Sequence, residues 1–128
     1  MSKVSVAAAK VNIAANEDSD NIEVVRLSSE ELTLALDKVK YYNRLEGVDL
    51  DSFDLQTVLV DPPRAGMGPE VTQFVSRFAR IIYISCNPAT LAVDVAALRA
   101  THRVARFAVF DQFPYTPHLE CGAYLVRK

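Results

Sequence analysis

The chain reads as an α/β protein built on a mostly parallel sheet. Three observations predict this: helical and strand patterns alternate along most of its length, the apolar runs are short and rich in β-branched residues, and Pro or Gly punctuates nearly every junction. At 128 residues the length suits one domain or part of one, and half the residues are hydrophobic.

The elements follow in order. Val4 to Asn16 is an alanine-rich helix whose apolar face is expected from Val4, Ala8, Val11 and Ala15. Ile22 to Leu27 is expected to be a short strand. Ser28, with Glu31 three residues on, forms a capping box, and the helix it opens should run to about Asn43. Gly47 to Asp54 is a polar connector. Thr57 to Val60 is a buried strand stopped by Asp61-Pro62-Pro63. Gly66-Met67-Gly68 is a turn, and Pro69 starts a helix to about Phe78. Arg80 to Ser85 is a strand and Pro88 to Ala100 a helix, with Asn87 as its cap. Arg103 to Phe110 is a strand with loose alternation. Residues 111–118 are too proline-rich for either element. Leu119 to Arg127 is the last strand. With no helix between them, the last two strands should pair antiparallel, while the earlier alternation argues for helices on both faces of the sheet.

Charge is unevenly spread. Residues 1–61 hold six Lys/Arg against twelve Asp/Glu, and residues 62–128 hold eight against four, which sums to the overall −2. The basic half, with Arg64, Arg77, Arg80, Arg99, Arg103, Arg106, Arg127 and Lys128, is able to face phosphates or simply to be solvated. Cys86 and Cys121 make no disulfide framework, and a reduced, cytoplasmic setting is the default. No signal peptide, membrane-length apolar run or zinc-ligand spacing is visible.

Cys86 is the chemically informative residue. It lies where a strand runs into a helix start, and a thiol at the positive end of a helix dipole favours the thiolate. An unpaired Cys is otherwise commonly a buried small hydrophobe. In open parallel sheets ligands bind beyond the carboxyl ends of the strands. Asp61 ends one strand and Cys86 the next. The loop after residue 110 should reach the same rim, which brings Glu120 there too. Phe113, Tyr115 and His118 add flat surfaces of the kind that hold an unstacked base.

Asp61-Pro62-Pro63-Arg64, Ser85-Cys86-Asn87-Pro88 and Phe110-Asp111-Gln112-Phe113-Pro114-Tyr115-Thr116, with His118 and Glu120, resemble the RNA 5-methyluridine methyltransferases. Gln112 in that last motif is similar to the tRNA (uracil-5-) branch, where the ribosomal RNA branch usually has Met. The stretches Ser5 to Ala9, Asn12 to Asn16 and Asn43-Arg44-Leu45 are also similar to the tRNA branch. The resemblance implies a Rossmann-like class I S-adenosylmethionine-dependent methyltransferase fold with an antiparallel last strand. It implies that Cys86 attacks C6 of a uracil, that C5 takes the methyl group of S-adenosylmethionine, and that Glu120 removes the C5 proton. It places Asp61 at the cofactor and Arg64, Ser85, Asn87, Phe113 and His118 around the substrate pocket. The substrate it implies is uridine 54 of the tRNA T-loop, with tmRNA as a further partner and no metal or membrane involved. A ribosomal RNA uracil-5-methyltransferase is the alternative. An amino-methyltransferase with Asp-Pro-Pro usually has an aromatic where Arg64 stands, and a Cys-dependent phosphatase loop wants an Arg where Ala92 stands.

None of Gly47, Gly66, Gly68 and Gly122 forms a glycine-rich turn between a first strand and helix. Residues 1–128 are therefore expected to be the C-terminal part of one catalytic domain, lacking its first strands, its RNA-contacting region and its glycine-rich cofactor loop. Such a piece is expected to be inactive alone and to self-associate through an open sheet edge.

Overall fold

The structure, a computed structural model, describes residues 2–16 and 22–128. The chain divides into two compact units, Met1–Phe53 and Asp54–Lys128.

The first unit is helical. Helix α1 spans Lys3–Ala14, and Ser2 caps it, its Oγ accepting from the N–H groups of Val4 at 3.1 Å and Ser5 at 3.3 Å. Its expected inward face is wrong. Val4 and Val11 are 78% and 70% exposed, while Val6, Ala9 and Ile13 are half-buried. A helix this rich in alanine offers two apolar stripes of equal spacing, so periodicity alone does not choose between them. The cluster of Ile13 and Ala14 with Ile22 and Val24 around a small cavity favours the second stripe.

Ile22 to Leu27 is not a strand. A strand exists only with a ladder partner, and none pairs with it among the described residues; the Arg44 guanidinium instead donates to the Arg26 carbonyl at 2.7 Å. Helix α2 spans Ser29–Leu36 and opens on the expected capping box, with both reciprocal bonds between Ser28 and Glu31 in place. It ends well before Asn43. Lys38 adopts φ +57°, its N–H donates to the Ala35 carbonyl and that of Val39 to the Leu34 carbonyl, which closes a Schellman motif. No Gly marks that stop, so the pattern runs past it. The supposed connector beyond contains short 3₁₀ turns at Asn43–Leu45 and Leu50–Ser52. Glu31 also pairs with Arg44; the Ser28 N–H and then this guanidinium hold its carboxyl below the usual range.

The second unit contains the sheet. Its elements are β1 Thr57–Val60, α3 Gly68–Val75, β2 Arg80–Ser85, α4 Pro88–Leu98, β3 His102–Phe110 and β4 Glu120–Arg127. Strand order is β1-β2-β4-β3. β1 and β2 are parallel, and β4 lies antiparallel between β2 and β3. Three strands therefore share a direction, and the last opposes them, as expected. The loose alternation of β3 has a cause: a bulge between Val104 and Arg106 shifts the register, so that Val104 and Phe107 fall on one face.

The two helices of this unit, α3 and α4, lie on one face of the sheet. From β1 to β2 and from β2 to β3 the chain moves the same way along the sheet, and right-handed crossovers then put α3 and α4 on the same side. The two helices pack together. Beneath them Ile81, Tyr83, Cys121, Ala123 and Leu125 are all buried. β1 is an edge strand, the open sheet edge expected beside Asp61, and it is less buried than its composition suggests. Leu59 is 64% exposed, with β2 the one strand beside it among the described residues.

Part of the basic surplus is structural. The Arg127 guanidinium donates to the carbonyls of Ser76, Arg77 and Phe78 after α3, and Lys128 Nζ donates to Arg99 at the end of α4. These cations satisfy orphan carbonyls and complement the negative ends of the helix dipoles.

Candidate active site

Parallel pairing aligns the carboxyl ends of β1 and β2. Val60 pairs with Tyr83, so Asp61 comes level with Ile84, two residues before Cys86. On the other side of β2, Ser85 pairs with Cys121, which leaves Glu120, the first residue of β4, level with Cys86 at that same end. Phe110, the last residue of β3, pairs with Glu120. Asp61, Cys86 and Glu120 thus share one rim although the chain separates them widely. Cys86 and Glu120 are half-buried and Asp61 is exposed. The Asp61 side chain makes no hydrogen bond or ion pair among the described residues.

Cys86 sits one residue before the cap of α4. Asn87 caps that helix by accepting from the Ala89 N–H at 3.1 Å, and its Nδ2 donates to the Arg64 carbonyl at 3.0 Å. Ser85, buried, bridges the turn: its Oγ accepts from the Asn87 N–H and donates to the Asn87 carbonyl, both at 3.1 Å. Ser85 and Asn87 therefore shape the backbone around the thiol.

Arg64 reaches the 111–118 loop, where its Nη2 lies 3.3 Å from His118 Nδ1. A guanidinium has no acceptor, so Nδ1 is the accepting nitrogen. The Phe113 and His118 rings meet edge to face with centroids 6.4 Å apart. Tyr115 does not join them; it stands at the loop tip, fully exposed, at φ +65°.

Two buried groups beside this rim escaped the sequence reading. Tyr83 and Asp94 are hydrogen-bonded at 2.6 Å, and Asp94 also accepts from the Met67 N–H at 2.8 Å. A usable signal existed, because Asp94 lies in the stripe of Leu91 and Leu98, where an acid is out of place unless it has partners. Burial first, and then the Asp94 carboxylate beside it, keeps the Tyr83 hydroxyl protonated well above the ordinary phenol range. Cys121 is buried on the helix-covered face, and burial followed by the Glu120 charge pushes its thiol up. Cys86 is the accessible thiol of the pair.

A pH dependence follows. Cys121 and Tyr83 both hold their protons more tightly folded than unfolded. Their contribution to stability is whole below the unfolded thiol value, 9.0, and is lost as pH rises beyond it. Urea midpoints of this chain are expected to fall steadily from about pH 9 to about pH 10.5. Cys121→Ala should remove the earlier part of that fall and Tyr83→Phe the later; a flat profile would contradict the burial of both groups.

S-adenosylmethionine would need partners for a sulfonium, an amino-acid group, a ribose and an adenine. The described residues fit the first: a carboxylate without a partner among them, Asp61, stands on the same rim as Cys86 and suits a nearby cation. No glycine-rich turn for the remainder is present among them. No group of three metal-ligating side chains and no helix long and apolar enough to cross a membrane occurs among them either.

Comparison with known proteins gives one direction. Curated tRNA/tmRNA (uracil-C(5))-methyltransferases from Pseudomonas entomophila (strain L48) and Stutzerimonas stutzeri (strain A1501) are each 57% identical over 128 residues, all of this chain and 35% of the relative. The chain thus spans about a third of the length of the curated relatives it matches. The crystal structure of Pyrococcus abyssi tRNA (uracil-54, C5)-methyltransferase, in complex with S-adenosyl-L-homocysteine, is similar with a TM-score of 0.51 and 45% identity, covering 56% of this chain and 18% of that one. The fold is accordingly the Rossmann-like methyltransferase fold. The tRNA (Uracil-5-)-methyltransferase family matches residues 1–128, and the chain belongs to it.

Proposed function

We propose that this chain is the C-terminal part of the catalytic domain of an RNA uracil-5-methyltransferase that acts on uridine 54 of the tRNA T-loop and on tmRNA in the cytoplasm. The observation that carries the chemistry is the convergence of Cys86 and Glu120, which the β2–β4 register sets level on one rim.

Cys86 is the nucleophile. A uracil C5 is too electron-poor to take a methyl group unaided. Addition of the thiolate to C6 moves the C5–C6 π electrons onto C5 and the adjoining carbonyl, and so activates C5. S-adenosylmethionine, when bound, supplies the methyl group. Glu120 takes the C5 proton; the electrons of that bond re-form C5–C6 and expel the sulfur. Asp61 would hold the cofactor's cationic end. Arg64, Ser85, Asn87, Phe113 and His118 line the pocket for the unstacked base, and removing that base from its stack costs a few kcal/mol.

The experiment is a covalent trap. The complete enzyme, incubated with cofactor and a T-loop RNA carrying 5-fluorouridine, is expected to form a stable protein–RNA adduct, because fluorine cannot leave as a proton does. Cys86→Ala should abolish the adduct. A ribosomal RNA hairpin trapped in preference to the T-loop would reassign the substrate, and no adduct with either would overturn the mechanism.

A further inference from the structure

We propose that Asn87, Thr90 and Asp94 form a positioning stripe on α4 that fastens the loop of residues 61–67 to the helix carrying Cys86 at its start. The inference rests on the uridine-methylation reading above. Residues 87, 90 and 94 are spaced by three and four, so they occupy one face of the helix.

That face is bonded to the loop at two points. Asn87 Nδ2 donates to the Arg64 carbonyl at 3.0 Å, and the single Thr90 hydroxyl proton is shared between that carbonyl, at 3.2 Å, and the Asn87 carbonyl, at 3.1 Å. Asp94 Oδ2 accepts the Met67 N–H at 2.8 Å and the Tyr83 hydroxyl at 2.6 Å. Asp94 is 6% exposed, and a buried carboxylate persists only where such donors satisfy it. Between the two points the chain presses on the stripe. Gly66 has φ +83°, and a Cβ there would lie 2.7 Å from Asp94 Oδ2 and 3.2 Å from the Thr90 Cβ. Only Gly meets both demands. The Gly66 N–H closes the turn on the Pro63 carbonyl at 2.9 Å.

The consequence is geometric. The loop begins at Asp61 and carries Arg64, whose side chain meets His118 across the rim. The stripe begins beside Cys86, and Tyr83 ties it to β2 three residues before that thiol. Cys86, Asp61 and Arg64 are thereby set in one rigid frame. The bonds of Thr90 and Asp94 go to the loop, to β2 and to the helix start, so both are positioning residues. Misplacement by about 1 Å costs up to about 100-fold in rate.

The test combines kinetics and exchange. In the complete enzyme, Asp94→Leu and Thr90→Val are expected to lower kcat/KM on T-loop RNA by about 10- to 100-fold. Asp94→Asn and Thr90→Ser, which keep the acceptor and the donor, should restore most of it. Leu98→Ala, a buried α4 change away from the loop, should lower thermal stability and leave kcat/KM per folded molecule within about threefold. In the 128-residue chain the Met67 amide should exchange slowly, and quickly in Asp94→Leu alone. The proposal is overturned if Thr90→Val and Asp94→Leu keep wild-type kcat/KM, if Leu98→Ala loses as much as they do, or if the Met67 amide is unprotected. Failure of the unmodified enzyme to trap 5-fluorouridine RNA would instead sink the uridine reading, and with it the catalytic meaning of the stripe.

Discussion

Cys86→Ala is expected to lower uridine methylation by about 10⁴-fold or more, and Glu120→Gln by about 10²- to 10⁴-fold, with opposite covalent behaviour. Without the sulfur, C5 is never activated and no adduct forms on any RNA. Without the carboxylate, addition and methyl transfer still proceed, but the C5 proton stays and the sulfur is not expelled. Glu120→Gln should therefore accumulate a protein–RNA adduct on ordinary uridine, seen as a retarded band on a denaturing gel. Cys121 makes the control. It adjoins Glu120 in sequence, yet it is buried on the helix-covered face, so Cys121→Ala should leave the rate within a few-fold. A Cys86→Ala enzyme retaining a tenth of the activity would rule out the covalent route.

Leu125→Ala is expected to destabilise the 128-residue chain by about 2–5 kcal/mol, and Leu59→Ala by no more than about 0.5 kcal/mol. Leu125 is 1% exposed on β4, between Ile81 of β2 and Val104 of β3, so truncation leaves a cavity under the helices. Leu59 lies on the edge strand and is 64% exposed, so little apolar area is lost to water. Against a usual total of about 5–15 kcal/mol the first change is a large fraction. Urea denaturation with unchanged slopes checks it. Equal costs at the two positions would show that β4 does not occupy the sheet interior.

The rim was legible because it depends on order alone. A β-branched run stopped by Asp61-Pro62-Pro63, a second run ending at Ser85-Cys86, and a proline-rich loop before Glu120 are enough to place three groups at one end of a sheet. Capping was legible for the same reason: Ser28 with Glu31 and Asn87 before Pro88 act within one helical turn. The errors fell where two choices look alike locally. Val4-Ala8-Val11 and Val6-Ala9-Ile13 are both good stripes, and only the neighbours of Ile13 decide between them. Lys38 ends α2 without a Gly, and Ile22 to Leu27 is apolar enough for a strand but has no partner. Thr57 to Val60 has the composition of a buried strand yet is only half covered, as the open edge expected beside Asp61 requires.

By itself, then, the sequence determined the element types from Thr57 onward, the direction of the last strand, and the family to which the Cys86, Asp61 and Glu120 motifs belong. These follow from residue chemistry acting over a few neighbours and from the order of the pieces. Only the tertiary structure decided that β4 inserts between β2 and β3, that α3 and α4 share one face, and that Thr90 and Asp94 clasp the 61–67 loop. Each of those is a contact between segments distant along the chain, selected by burial and by the need to satisfy buried polar groups, and neither requirement is visible until the chain has folded back on itself.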